Sequence, residues 1–531
     1  MATEKGMSRR SFITAAGIAG AASLGVALSG CAPHQQEETP MAATGASGGD
    51  MTWDAEADIV VVGCGAAGWA ATYEATKAGC EVIVLEKSPS IGGDMSICAG
   101  ILPGYETEYT VSQGVTATAE ECWQEYLERG ENPHGVPPQD VIEYVFKNCS
   151  ENIDILAEHG VEWQRADIQA HYSAYDIFFE AHYGDIVGGG SFVEPLKAII
   201  DETGATLMTN TRGKRLITNA EGRVIGIEAD EGGSTIAVKA RKAVVLTTGG
   251  YSGNSKLIGA FAEQWKGVKG SGLPTNIGDG LIMAMDLGAL TVRTQDGGFI
   301  LANSEYGTGF NVNADCLYKG FICDPTGARC INDGASYATN DLVDQFSAQF
   351  SRQEEDFLWL VVDSSPDSLE AYETNVATHG TTFITADTLE ALASEMGVDA
   401  DTLVASAEEF SRAAGELVDP VYGERTSGYP IHAVAEGPFH ALKLGPSIVM
   451  TTGGLKSSLT GQVLRAKRVG DADAVAPTDE TELTEPIPGL YAAGMIAEWT
   501  CFTGWSCISC MTLGHLAGIN AAKEESWESR C

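Results

Sequence analysis

The residues with the clearest chemical purpose are glycines. Gly63-Cys64-Gly65-Ala66-Ala67-Gly68 follows the short apolar strand Asp58-Ile-Val-Val-Val and leads into an Ala-rich helix that runs through about Lys77. Val82-Ile-Val-Leu-Glu86 then reads as a second strand. In such a unit the glycines permit a tight turn and let the backbone approach a pyrophosphate at the helix N-terminus. Glu86, 18 residues after Gly68, ends the second strand, where a carboxylate accepts hydrogen bonds from an adenosine ribose. A glycine turn that only packs helix on sheet would not require that acid. Gly63, Gly65, Gly68 and Glu86 are therefore candidates for holding a dinucleotide.

Other residues carry weaker signals. Ser8-Arg9-Arg10-Ser11-Phe12-Ile13 precedes an Ala/Gly-rich apolar run that ends at Leu28-Ser29-Gly30-Cys31. The paired arginines resemble a twin-arginine export signal, and the last four residues resemble a lipoprotein cleavage box with Cys31 as the lipidated first residue. This route moves folded proteins, which suits a chain loaded with cofactor before export. Two cysteine groups, Cys316, Cys323 and Cys330 with Cys501, Cys507 and Cys510, admit an iron–sulfur cluster, buried thiols being the plainer reading; their spacings do not match common cluster patterns. Cys510 is followed by Met511 where haem attachment requires histidine. No metal site is assigned.

The chain of 531 residues is 44% hydrophobic, enough for two or three domains. Its 73 acidic residues against 32 basic ones give a formal charge of −41, which excludes nucleic acid as a ready partner. Glycine, 63 residues, is well above the usual roughly 7%, in keeping with many tight turns and close approaches of backbone to ligand.

After the first unit come Glu86-Lys87, Gly92-Gly93-Asp94-Met95 and Ala99-Gly100, then Ala243-Val-Val-Leu-Thr-Thr-Gly249-Gly250, Gly278-Asp279-Gly280 and Gly489-Leu-Tyr-Ala-Ala-Gly494. On these ordered motifs the chain resembles, from about residue 55 to 522, the flavoprotein subunit family of fumarate reductase and succinate dehydrogenase. That family also contains urocanate reductase, L-aspartate oxidase and the 3-ketosteroid dehydrogenases. The resemblance implies non-covalent FAD and an α/β fold: a Rossmann-like FAD-binding domain with an inserted α+β capping domain that closes over the flavin. It places Ala67, Glu86, Lys87, Gly93, Asp94, Met95, Gly100, Asp279, Met495, Ser506 and Cys507 at flavin-contacting positions, with Met495 replacing an acid usual in the family. The expected organisation is a signal over 1–31, a flexible tether over 32–51, FAD-binding segments over 52–290 and 441–531, and the cap over 291–440, with helices in 382–418.

The active-site motif departs from the family's. Its G-x-R-F-x-N-E segment is Gly327-Ala328-Arg329-Cys330-Ile331-Asn332-Asp333 here, and Tyr337 stands where fumarate reductases place a proton-donating arginine. The relay arginine and glutamate fall on Cys316 and Asn313, a carboxylate-holding histidine on Met450, and a clamping arginine near Cys501. A dicarboxylate desolvated without cations loses several kcal/mol per charge, so a neutral or apolar small molecule is the expected substrate. The 3-ketosteroid dehydrogenase branch resembles this chain in its tyrosine and in using a glycine amide, here Gly504, to polarise a carbonyl; a second tyrosine expected nearby is Thr500. Exported reductases such as cardiac glycoside reductase show this kind of departure. Tyr183, Thr451 and Trp505 are the substrate-binding candidates; Trp499, Phe502 and Trp505 suit a flat apolar body as well as an ordinary core, and His182 beside Tyr183 suits either substrate or packing.

The expected chemistry is hydride transfer from flavin N5 to the β-carbon of an activated alkene, with Tyr337 protonating the α-carbon and the Gly504 N–H stabilising the enolate. Read backwards, the same groups perform a 3-ketosteroid-type dehydrogenation. A flavin electron-transfer or redox-sensing protein without a substrate is the alternative from another class. A reductase anchored by lipid alone would draw electrons from an external membrane-associated donor.

Overall fold

Ile59-Val60-Val61-Val62 offers solvent no polar face, so its strand must be covered on both sides. The structure, a computed structural model, describes residues 51–129, 139–166, 173, 175–266, 268–270, 272–292, 298–302, 314–335, 341–350, 352, 357–379, 382–451, 453–467, 483–498 and 505–530. In it, strand β1 (Ala55–Val62) lies between the parallel strands β2 (Val82–Leu85) and β3 (Ser234–Leu246), with Val60 opposite Ile83 on one side and Val244 on the other. Thr206–Met208 extends the parallel sheet beyond β2. The returning strand Thr484–Ala492 extends it beyond β3, with Leu246 opposite Ala492. Alternate residues divide the packing: Ile59, Val61 and Val245 enter one core, and Val60, Val62 and Leu246 the other.

The first core is closed by two helices, α1 (Ala66–Lys77) and α2 (Ser506–Ala522). Both are rich in small residues because their backbones nearly touch. A Cβ at Gly68 would overlap the Gly63 carbonyl oxygen, and Cβ atoms at Gly514 and Gly518 would overlap the carbonyl oxygens of Ala67 and Ala71. The return segment is thus clamped directly onto the first glycine turn. Residues 101–192 add a small antiparallel sheet built from Ile101–Pro103, Glu162–Arg165, Phe178–Tyr183 and Ile186–Val187, packed on the same core. No motif or periodicity in the sequence marks this sheet.

A second sheet is organised around the long strand β4 (Phe439–Met450), which pairs with Lys269–Gly270, Gly298–Ala302, Leu358–Val362 and Ile384–Ala386. Leu389–Met396 and Ala400–Ser411 are the helices expected within 382–418, and they close a core of Phe321, Trp359, Leu392, Leu403 and Phe410. The strands of this sheet run from Lys269 to Met450, so they overlap both edges of the segment expected to form the cap. The two sheets make the expected mixed α/β architecture. No described helix is long and apolar enough to cross a membrane. The signal, with Arg9, Arg10 and Cys31, and the tether to Asp50 lie outside the described residues.

Alanine is the better helix former by about 1 kcal/mol, yet Gly514→Ala is expected to destabilise the protein. Its methyl would meet the Ala67 carbonyl, and overpacking costs about 1–3 kcal/mol. Urea unfolding should show a lower midpoint with an unchanged slope; a midpoint at or above that of the parent protein would contradict the close helix contact.

Candidate cofactor and active site

The three glycines of the first turn do different work. Gly63 has φ +98°, and a Cβ there would lie 2.5 Å from the Thr247 carbonyl oxygen; Gly68 is excluded from carrying one by Gly63 itself. Gly65 is the exception. Its backbone is extended (φ −91°, ψ −158°), and the nearest atom to an added Cβ is the Gly92 carbonyl oxygen at 3.6 Å. The protein therefore leaves room at Gly65 that its own atoms do not fill, at the start of α1, where no side chain caps the helix.

The neighbouring groups suit a dinucleotide. The Cys64 N–H donates to Glu86 Oε2 at 2.9 Å and the Ser88 N–H to Oε1 at 2.7 Å, so the buried carboxylate is fixed at the end of β2. The Gly92 N–H donates to the Cys64 carbonyl at 2.8 Å, joining the two glycine turns. At the end of β3, beside Gly63, Thr248 Oγ1 is buried with no hydrogen-bond partner among the described residues. Room over a helix N-terminus and a fixed carboxylate match the pyrophosphate and ribose of FAD, and the orphaned hydroxyl faces Gly280 at the start of the helix Asp279–Met285.

Further along, Gly93, Asp94 and Met95 form a short turn, and Gly100 (φ +74°) lies against Gly188. Burial pushes the Asp94 carboxyl up, opposed by the Leu273 N–H at 2.9 Å and the Asn276 amide. Lys87 and Asp279 meet each other at 2.9 Å, and Arg212 adds bonds to Asp279 at 2.5 and 3.2 Å. Burial opposes the charge of Asp279, but Arg212 and Lys87 hold its carboxyl below the usual carboxylate range. Gly278-Asp279-Gly280 opens a helix, Asp279–Met285, and its acid side chain is engaged by cations of the chain. Arg212 was not anticipated, because nothing in its local sequence marks it as the partner of a residue 67 positions away.

Thr451 is buried at the end of β4, its Oγ1 accepting the Tyr251 N–H at 3.2 Å and occupying the space a Cβ at Gly250 would need. It positions the second glycine step. Met495 lies beside Gly250, and Ser506 and Cys507 open α2. Trp505, which suits a substrate contact or an ordinary core, is buried, its ring 4.1 Å from that of Phe146 and 6.2 Å from that of Phe178. Tyr183 ends its strand partly exposed, with its ring against Gly160, and His182 bonds Glu180 at 3.1 Å.

In the second sheet, Arg329 is buried among carboxylates: Asp419 at 2.6 Å, Asp333 at 3.2 Å and Glu409 at 3.3 Å. Arg425 bonds Asp333 at 3.0 Å, and a Cβ at Gly334 would collide with its side chain. The Ser427 N–H donates to the Gly334 carbonyl and the Tyr318 hydroxyl to the Ala335 carbonyl, each at 3.0 Å. This cluster fixes the chain two residues before Tyr337. Tyr337 and Gly504 themselves, with Asn313, Trp499, Thr500, Cys501 and Phe502, lie outside the described residues. Cys316, Cys323 and Cys330 belong to the second sheet's surroundings, whereas Cys507 and Cys510 sit on α2; among the described residues no group of three or more His, Cys, Asp or Glu is arranged to hold a metal ion.

A model of the FAD-binding domain family matches residues 58–505. The chain belongs to this FAD-binding family. The flavoprotein is 26% identical to a digoxin reductase of Eggerthella lenta, over 99% of this chain and 98% of that one. It is 24% identical to a probable fumarate reductase of Shewanella frigidimarina, over 88% of this chain and 74% of the other. Its fold matches the open conformation of a flavocytochrome c3 fumarate reductase at a TM-score of 0.71, with 22% identity over 89% of this chain and 79% of that one. This flavoprotein is an FAD-dependent oxidoreductase, similar to fumarate reductases and homologous to enzymes that act on C=C bonds.

Gly65→Val separates cofactor binding from folding. Valine suits the extended backbone there, so thermal stability of the FAD-free protein should stay within about 1 kcal/mol, while the isopropyl group fills the room over α1. Purified variant protein should lack the flavin absorbance of the parent, and full FAD occupancy would overturn the assignment of that space.

Proposed function

We propose that this flavoprotein is an exported reductase of an activated C=C bond in a neutral or apolar molecule of the enone or enoate type. The observation that carries the reading is the commitment of the two buried arginines beside the Tyr337 segment: Arg329 and Arg425 are each bonded to carboxylates of the chain itself. Arg329 is shared among three carboxylates, and Arg425 is tied to Asp333 through Nη1, its Nη2 being buried without a hydrogen-bond partner among the described residues. Met450, Tyr337 and Cys501 stand where the resemblance implies a histidine and two arginines. A dianion in such a pocket would keep an uncompensated desolvation cost of several kcal/mol. The similarity to a digoxin reductase over nearly the whole chain supports the same direction, since digoxin carries no ionised group.

FAD, when bound, supplies the hydride. Gly63, Gly65, Gly68 and Glu86 would hold its dinucleotide, and Gly93, Asp94, Met95, Gly100, Met495, Ser506 and Cys507 stand where the resemblance implies further flavin contacts. Tyr337 carries a phenolic proton and delivers it to the α-carbon. The Gly504 N–H meets the carbonyl oxygen as negative charge develops on it. The Arg329–Asp333–Arg425 cluster positions the chain that carries Tyr337. The Arg9-Arg10 pair and Cys31 support twin-arginine export and lipid anchoring, with electrons from a membrane-associated donor.

Tyr337→Phe keeps the ring and deletes the hydroxyl, so viologen-driven turnover of a neutral enone should fall by about 10² to 10⁴ with FAD content unchanged. Unaltered turnover with chemistry rate-limiting would remove Tyr337 from the mechanism. Replacing Arg9 and Arg10 by lysine should leave the protein in the cytoplasmic fraction; undiminished membrane-surface localisation would refute the twin-arginine reading.

A further inference from the structure

The segment over residues 273–279 bridges the two glycine steps that frame the dinucleotide site. On the side of the second step, the Gly278 N–H donates to the Gly250 carbonyl at 3.2 Å, the Gly253 N–H to the Asn276 carbonyl at 2.8 Å and the Asn254 amide to the Ile277 carbonyl at 2.9 Å. On the side of the first step the ties carry charge. Lys87 Nζ donates to the Thr275 carbonyl and meets Asp279 at 2.9 Å, while Asp94 accepts the Leu273 N–H at 2.9 Å and the Asn276 amide. Lys87 and Asp94 belong to the turns that follow β2. Arg212 does not. It comes from the strand Thr211–Thr218, yet it grips Asp279 with two bonds, Nε to Oδ2 at 3.2 Å and Nη2 to Oδ1 at 2.5 Å.

Backbone contacts bring Arg212 to this place. The Asn210 N–H donates to the Ser88 carbonyl at 3.1 Å and the Thr211 N–H to the Glu86 carbonyl at 2.9 Å, so the chain entering the strand runs beside the turn that carries Glu86 and Lys87. Asp230, opposite Arg212 on the neighbouring strand, adds a further attraction to the guanidinium. A planar fork on both oxygens of one carboxylate fixes its direction as well as its charge. Lys87 brings a single ammonium, shared with the Thr275 carbonyl, and cannot do the same. The Asp279 side chain is only 9% exposed and that of Arg212 41%, so solvent screens the pair in part.

We propose that Arg212 is a positioning residue for the cofactor: by fixing the Asp279 carboxylate it latches residues 273–279 to the Glu86 turn and slows the release of FAD. The elements that would hold the dinucleotide, the Glu86 turn and the glycine step at the end of β3, are joined through this segment. A looser tie at Asp279 lets them separate more readily. Arg212 acts through Asp279 and takes no part in the chemistry, so the latch is independent of which alkene the enzyme reduces.

The test follows FAD release from the loaded protein, diluted and desalted at intervals, by the flavin absorbance that stays with the protein. Arg212→Gln should lose FAD about tenfold faster than the parent protein, and Arg212→Lys, which keeps the charge but not the fork, should fall between the two. In an Asp279→Asn background, Arg212→Gln should change the rate little, because the two residues act as one unit. Lys214→Gln, at an exposed cation two residues along the same strand, controls for loss of charge alone and should match the parent. Melting of the FAD-free proteins reports that each variant folds. If Arg212→Gln does not fold, Arg212→Lys decides the question: faster release supports the latch, and release at the parent rate overturns it. Release from folded Arg212→Gln at the parent rate, the same acceleration in Lys214→Gln, or an undiminished effect of Arg212→Gln in the Asp279→Asn background would equally overturn the proposal.

Discussion

The candidate site depends on backbone meeting backbone at the C-terminal edge of the parallel sheet. Gly63, Gly68, Gly514 and Gly518 are positions where a single methyl group would collide with a carbonyl oxygen. Those contacts bring α1, the end of β3 and α2 together, although α2 comes from the far end of the chain. Gly65 is different in kind, because an added Cβ there would meet the chain only at ordinary contact distance, 3.6 Å from the Gly92 carbonyl oxygen. Structural glycines set the helices, and one further glycine leaves the space that a pyrophosphate needs.

Charge is handled inside the protein rather than offered to a ligand. Arg329 and Arg425 face Asp333 and Asp419 in a buried cluster, and Lys87 and Arg212 share Asp279. Removing one member of such a buried set leaves an uncompensated charge, which costs about 3–5 kcal/mol. The cluster thereby fixes the segment that leads to Tyr337 and pairs both arginines with carboxylates of the chain itself. The same arginines in a similar fold, if unpaired, would favour the opposite substrate class.

The dinucleotide unit was legible in the sequence because its determinants are local. An uninterrupted apolar strand, a glycine spacing and an acid at the end of the next strand lie within a single short stretch, and the fold follows from burial on both faces of β1. The partners that set the chemistry were not legible. Arg425 meets Asp333 and Arg212 meets Asp279 across long separations, and no spacing rule connects them. Aromatic density left Trp505 open between substrate and core, and its ring packs beside Phe146. The antiparallel sheet of residues 101–192 was missed because its strands are short and separated by helices and loops.

The central claim is that the site accepts a neutral alkene in place of a dicarboxylate. It is tested most directly by reducing the FAD-loaded protein anaerobically and following flavin reoxidation by stopped flow, with fumarate and a set of neutral enones as oxidants. The account predicts rapid, saturable reoxidation by at least one neutral enone and a flavin that stays reduced with fumarate. Saturable reoxidation by fumarate, faster than by every neutral enone, would contradict it.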